Sequence, residues 1–323
     1  MQKLYPLRFQ PILKQYLWGG RRLGLLLNKP LGQGEDYAES WEVVDHGEDQ
    51  SVVDCGPLAG MTLGQLTRER GEELLGCPNP LGRFPLLLKF LDARKTLSVQ
   101  VHPNDEQAAM QTPPDAGKTE AWVVLAAEPG SLIYAGLKPD VDLAALRQAI
   151  HEGTCEQLLH RFEPAVGDCV FLPAGTVHAL GAGIVVAEIQ QSSNTTYRLF
   201  DWNRMGPDGK PRQLHVEEAL RVVDLQRGPV VPRCPCAGRP PWRELLVECD
   251  LFHLQRTRLT TARLFGGDHR CQIVSVLEGT VRVAADSLEM VLATGSTVLL
   301  PASIDAVEIV PEKEAVLLGA YLP

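Results

Sequence analysis

The sequence predicts a mainly β fold, two β-barrel units of which the first carries a small helical insertion. Short apolar runs bounded by glycine, proline or charge recur along the chain, 29 glycines and 24 prolines supply turns between them, and one strand-and-turn frame occurs twice. The strand-like runs are Val43-Val44, Ser51–Val53, Leu86–Leu88, Leu97–Val101, Ala121–Ala126, Val170–Leu172, Ile184–Ile189, Ile273–Leu277, Thr280–Val283 and Thr297–Leu300. Helical patterns are fewer. Thr62 is placed to cap Leu63–Leu75, which Gly76 and Pro78 close. A second helix opens at Asp140 or Asp142, with Leu143, Leu146, Ile150, Leu158 and Leu159 as its stripe and Gly153 as a break, and a third covers Val216–Val223. Arg227–Pro241 has the composition of a linker, so the expected division is 1–226, a linker at 227–241, and 242–323.

A chain of 323 residues, 45% hydrophobic and 22% charged, is an ordinary globular polypeptide long enough for about two compact units. A formal net charge of −9 lacks the broad basic field of a general nucleic-acid binder, so none is expected as a partner. No run approaches the ~20 apolar residues of a membrane span. Lys3, Pro6, Arg8, Pro11 and Lys14 interrupt the stretch where a signal-peptide core would lie, which makes the cytoplasm the expected location. Eight cysteines show no framework spacing. Cys234-Pro-Cys236, the one close pair, is not C-x-x-C, and the thiols are expected to be buried or incidental.

The repeated frame is a glycine, five residues, Pro-x-Gly, two residues and a histidine. It spans Gly167 to His178, with Pro173 and Gly175 at the turn. Gly295 to Ala306 repeats it with Pro301, but has Ser303 for the second glycine and Ala306 for the histidine. Each copy follows an apolar strand ending in a turn, Val123 to Gly130 and Val274 to Gly279. The opening glycine permits a tight turn, and Pro-x-Gly ends the strand because proline cannot donate to a ladder. His178 then starts the next strand and can point into the barrel. Only the first copy keeps a histidine, so the chemistry is expected there.

Gln100 and His102 stand two apart, and on a strand both would face one way. Glu120 opens the following strand. Gln100, His102, Glu120 and His178 would then offer O, N, O and N donors from neighbouring strands, a mixed set that suits one zinc ion with an open position for water or substrate. Gln100 is the weakest member because an amide oxygen is neutral. Seven cations surround these positions in sequence: Lys89, Lys95, Lys118, Arg198, Arg204, Lys210 and Arg212. Lys95, Arg204 and Lys210 are expected to be merely solvated. Lys118 lies two residues before Glu120, and Arg198 follows Glu188 and Gln190 along an inward-facing strand and its continuation. A metal, a carboxylate and cations around one cavity suit an anionic, oxygen-rich substrate.

The segments Tyr16-Leu-Trp-Gly-Gly20, Glu39-Ser-Trp-Glu42, Leu97–Asn104, Gly117-Lys-Thr-Glu120, Leu172–His178 and Asn194–Trp202 occur in one order over essentially the whole chain. Together they resemble a cupin, and more narrowly a type I mannose-6-phosphate isomerase of the short bacterial form. The resemblance implies two cupin (jelly-roll) barrels and a zinc enzyme that interconverts mannose 6-phosphate and fructose 6-phosphate. It puts the metal positions on Gln100, His102, Glu120 and His178, and the active-site arginine on Arg198. The lysine before the metal glutamate falls on Lys118, a phosphate-side serine on Ser98, a cavity glutamate on Glu188 and a pocket aromatic on Trp18; Lys89 is expected beside them on the substrate side. The long helical domain of larger relatives is absent, and Gln-x-His with a distant glutamate replaces the general cupin His-x-His.

Aldose–ketose isomerisation moves a proton between adjacent carbons through an enediol. A Lewis acid can polarise the two oxygens while cations stabilise the developing oxyanion. In that scheme Arg198 faces the enediolate or the phosphate, and Glu188 or Lys118 shuttles the proton. Two rival expectations stand beside it: an iron oxygenase using His102, Glu120 and His178, and a sugar-phosphate sensor without turnover.

Overall fold

The structure is a computed structural model that describes residues 3–79, 81–205, 209–233, 236–237, 242–285 and 288–323. Cys234 of the close cysteine pair, and residues 234–235 and 238–241 of the expected linker, lie outside the described residues. The protein is mainly β, built of antiparallel sheets that keep open edges among the described residues. It divides into two compact units that interleave along the chain, 1–15 with 21–90 and 234–323, and 16–20 with 91–233. Strand pairing explains why the amino-terminal segment groups with the carboxy-terminal one: Leu7–Gln10 lies between Thr297–Leu300 and Val52–Val53 in one sheet.

The first unit sets an eight-stranded sheet against a four-stranded one. Val274, Val276, Val298, Leu300 and Leu317 from the larger sheet meet Phe265, Val281, Val283, Leu292, Val307 and Ile309 from the smaller. The alternation of buried and exposed residues in Thr280–Ala285 and Val307–Pro311 is that of strands with one face on a core. Leu63–Leu75 is helical as expected, with reciprocal Thr62 and Gln65 cap bonds and a left-handed Gly76 at its end.

The second unit holds a five-stranded sheet in the order Leu159–Phe162, Ile133–Leu137, His178–Leu180, Val99–Val101, Tyr197–Phe200. Its other layer includes Cys169–Leu172, Glu120–Ala127 and Ile184–Gln191, paired in that order. The helical insertion covers one face of the five-stranded sheet. Leu146 and Ile150 of helix Leu143–Glu152, and Ala219, Leu220 and Val222 of helix Val216–Val222, pack with Val99, Val101, Val177, Ala179 and Leu199. Asp142 caps the first of these helices, accepting from Ala145 N at 2.7 Å, and Gly153 ends it in the left-handed region. Leu158 and Leu159, expected on the same helical stripe, instead sit in a 3-10 turn and the following strand, because the chain reverses at Gly153. Two short helices, Arg22–Leu27 and Asp105–Ala109, have no counterpart in the sequence expectation.

The two copies of the frame share their opening turn and strand, while Gly175 alone of the second-turn pair is left-handed and Ala306 lies just before its strand. Cys169–Leu172 pairs with the strand that begins at Glu120, and Thr297–Leu300 pairs with the strand that begins at Gln272. The opening glycines have φ of 93° at Gly167 and 87° at Gly295. At Gly295 a Cβ would also overlap the Leu27 carbonyl, whereas at Gly130, equally left-handed at φ 80°, it would meet nothing within 4 Å. Gly295→Ala should therefore cost about 3–5 kcal/mol and Gly130→Ala about 1–2 kcal/mol, compared by urea unfolding of the two variants.

Candidate active site

Strand period decides which side chains meet. Gln100 is opposite His178 on one side and Arg198 on the other, so the three share a face of the five-stranded sheet. Their odd-numbered neighbours Val99, Val101 and Leu199 face the helices. In the other layer Glu120 is opposite Gln190 and Trp122 is opposite Glu188, which gathers these four on a single face as well. The two faces meet where the His178 and Trp122 rings pack edge-on with centroids 5.4 Å apart.

His102, Glu120 and His178 converge there, all buried, with one ligand atom from each within 4.8 Å of the others. His102 lies just past its strand, which ends at Val101, because Pro103 cannot extend the ladder; its carbonyl accepts from Gly175 N at 2.8 Å. That bond ties His102 to the Pro-x-Gly turn that presents His178. Each imidazole is oriented through Nδ1, His102 by the Thr195 carbonyl and His178 by the Thr176 carbonyl, both at 2.9 Å. A carbonyl can only accept, so Nδ1 carries the proton and Nε2 turns a lone pair inward. His178 Nε2 sits 3.2 Å from Glu120 Oε1, and neither buried atom has a hydrogen-bond donor. Two facing acceptors of this kind, with both imidazoles oriented from behind, suit a divalent cation.

Burial, reinforced by the Lys118 ammonium, holds the His102 pKa well below its ordinary value, so the ring is a neutral ligand. Burial by itself would raise Glu120, but the Lys118 ammonium beside it overrides that and keeps the carboxyl well below the usual range. Lys118 precedes its strand yet reaches the cluster. Its Nζ lies 3.2 Å from His102 Nε2, bonds Glu120 Oε2, and stands 3.5 Å from Glu188 Oε1. The backbone sets this position: Lys118 N donates to Pro103 O, and a Cβ on Gly117 would strike the Asn104–Asp105 peptide.

Arg198 Nε donates to Ser98 Oγ at 3.2 Å and its guanidinium also reaches the Gln213 carbonyl. Burial and the Arg212 charge lower its pKa, against Asp201, but a guanidinium so shifted is still a cation. Arg198 is not on a continuation of the Glu188 strand as expected; the chain crosses to the other sheet after Gln191. Nor is Arg204 merely solvated, since it donates to the Thr96 and Asp201 carbonyls and pairs with the Asp201 carboxylate. Trp18 stacks on Tyr16 with centroids 5.6 Å apart, and its carbonyl accepts from Lys95 N. Lys89 belongs to the first unit, 3.6 Å from Glu39 and 5.7 Å from the centroid of Trp41. Trp122 was not anticipated, although its place two residues after Glu120 put it on the same strand face.

Residues 6–127 match the family model for the catalytic domain of phosphomannose isomerase type I. The chain is 34% identical over 303 residues to the mannose-6-phosphate isomerase ManA of Bacillus subtilis, covering 92% of this chain and 93% of the relative. A mannose-6-phosphate isomerase of Streptococcus mutans is 34% identical over 309 residues, 93% of each. The chain belongs to the type I phosphomannose isomerase family. It is thus an isomerase by family, and its fold agrees: a crystal structure of the Bacillus subtilis mannose 6-phosphate isomerase superposes with a TM-score of 0.89 at 29% identity, covering 98% of this chain and 99% of that one. Among the described residues, no helix is long and apolar enough to cross a membrane.

Metal-stripped protein titrated with Zn²⁺ or Co²⁺ should take up one equivalent per chain. His178→Ala and Glu120→Gln should each weaken that binding by about 100-fold or more, read by competition with a chromophoric chelator.

Proposed function

We propose that this protein interconverts mannose 6-phosphate and fructose 6-phosphate, using one zinc ion held by Gln100, His102, Glu120 and His178. The observation that carries the reading is the buried His-Glu-His set, with unpartnered acceptors turned inward, in a chain of this isomerase family. We read each facing pair of sheets as a jelly roll and the cytoplasm as the place of action. Gln100 enters the ligand set on its register opposite His178. Bound there, zinc supplies a Lewis acid beside the carbonyl and hydroxyl of the open-chain sugar.

The protein's own groups do the rest. Lys118 and Glu188, both buried and 3.5 Å apart, form the pair that takes the proton from one carbon of the substrate and returns it to the next. The enediolate formed between those steps gains charge on oxygen, and Arg198 offers a fixed cation for that charge or for the phosphate. Ser98 holds the guanidinium in place. Trp18 completes the substrate side as an apolar wall. Family membership favours this chemistry over the oxygenase and sensor readings.

Chelation should abolish turnover of mannose 6-phosphate and Zn²⁺ should restore it; undiminished activity in protein verified metal-free by elemental analysis removes zinc from the proposal. Arg198→Ala should lower kcat/KM about 100- to 1,000-fold while leaving zinc content unchanged, measured by a coupled assay and metal analysis on the same sample.

A further inference from the structure

Trp122 is almost wholly buried, and its indole Nε1–H donates to Glu188 Oε2 at 2.9 Å. A buried tryptophan needs some partner for this proton. Here the partner is a carboxylate, itself buried, whose other oxygen, Oε1, is 3.5 Å from Lys118 Nζ. The last torsion of a glutamate is broad and roughly two-fold, so an unconstrained Glu188 could present either oxygen over a range of angles. The indole bond removes that freedom and turns Oε1 toward Lys118. The same ring stands edge-on against His178, 5.4 Å between centroids at 81°, so one rigid side chain borders both the proton-handling pair and a metal-site imidazole.

We infer that Trp122 is a positioning residue for the isomerisation, acting through the orientation of the Glu188 carboxylate; this rests on the functional reading above. A charge-assisted hydrogen bond between two buried groups is directional, and both groups are anchored on paired strands where Trp122 and Glu188 are direct cross-strand neighbours. The carboxylate therefore has little room to re-aim, and a small error in its aim falls on the proton-transfer step rather than on sugar binding.

The test is Trp122→Phe in the zinc-loaded full-length protein, which keeps an aromatic ring and deletes the donor. The expected result is a fall in kcat of about 10-fold, with KM for mannose 6-phosphate and zinc content within about two-fold of wild type. A purely structural role would instead appear in expression, thermal midpoint or zinc content, with kcat per zinc-loaded molecule unchanged; that pattern overturns the inference. Should Trp122→Phe fail to fold, Trp122→Tyr, which keeps an aromatic ring and removes the indole donor, should give the same loss confined to kcat, and unchanged kcat there overturns it. Indole N–H resonances of ¹⁵N-tryptophan protein supply a readout free of turnover: the signal absent in Trp122→Phe should move in Glu188→Gln, and a stationary signal rejects the contact. Wild-type protein inert on mannose 6-phosphate would reject the functional reading, a result distinct from either of these.

Discussion

The site depends on one geometric constraint, the two-residue period of the five-stranded sheet in the second unit. Odd positions Val99, Val101 and Leu199 are committed to a core with two helices, so even positions Gln100 and Arg198 have to face the other way. Slipping Tyr197–Phe200 by one residue would put Arg198 into the apolar layer, and slipping Val99–Val101 would put a valine beside His178. The cost of that exchange is what holds the polar face in register. The helical insertion therefore acts on the site from behind: by supplying an apolar partner for one face, it fixes what the opposite face presents.

That polar face is electrostatically incomplete by itself. Glu120 and Glu188 are buried carboxylates, and Lys118 is the ammonium placed between them. Burying charges is expensive unless they are paired, and here the pairing leaves one contact, His178 Nε2 facing Glu120 Oε1, in which neither atom has a donor. Both imidazoles are held in the tautomer that aims Nε2 inward by backbone carbonyls, which no side-chain substitution can remove. Such a cluster is poor as a stabilising core and well suited to a cation, and the distinction follows from counting donors.

Much of this was legible in the sequence, because it follows from spacing. The frame from Gly167 to His178 is a turn, a strand and a turn whose glycines adopt left-handed conformations, and the helix Leu63–Leu75 carried its own cap signals at both ends. The convergence of His102, Glu120 and His178 was legible only as a conjunction, since no local property of His102 distinguishes it from a satisfied core histidine. What stayed hidden was non-local. The amino-terminal strand Leu7–Gln10 pairs with Val298 and Leu299, almost the whole chain away, and neither segment names the other. Arg204 could not be distinguished from a solvated cation because the Thr96 carbonyl that it meets, 108 residues away, is set by tertiary packing. Trp122 is hidden for the opposite reason: a tryptophan in an apolar strand needs no functional explanation until its N–H meets Glu188.

The second copy of the frame separates fold from chemistry within one molecule. Gln272 occupies the ladder position of Glu120 and bonds Asp268, and Ala306 has the place of His178 in the sequence frame. The donors are gone, yet the glycine and proline frame remains. Its retention has a physical cause at Gly295, whose carbonyl accepts from the buried Lys29 ammonium at 2.5 Å and whose missing side chain admits the Leu27 carbonyl. Lys29 in turn pairs with Glu42 at 2.6 Å, and Asn28 donates to the Thr294 carbonyl. The opening turn of the frame thus serves, in this copy, to dock the end of helix Arg22–Leu27 and the segment after it. The packing at this turn needs the glycine and not the histidine, so the frame is stable here without the side chains that cluster in the other copy.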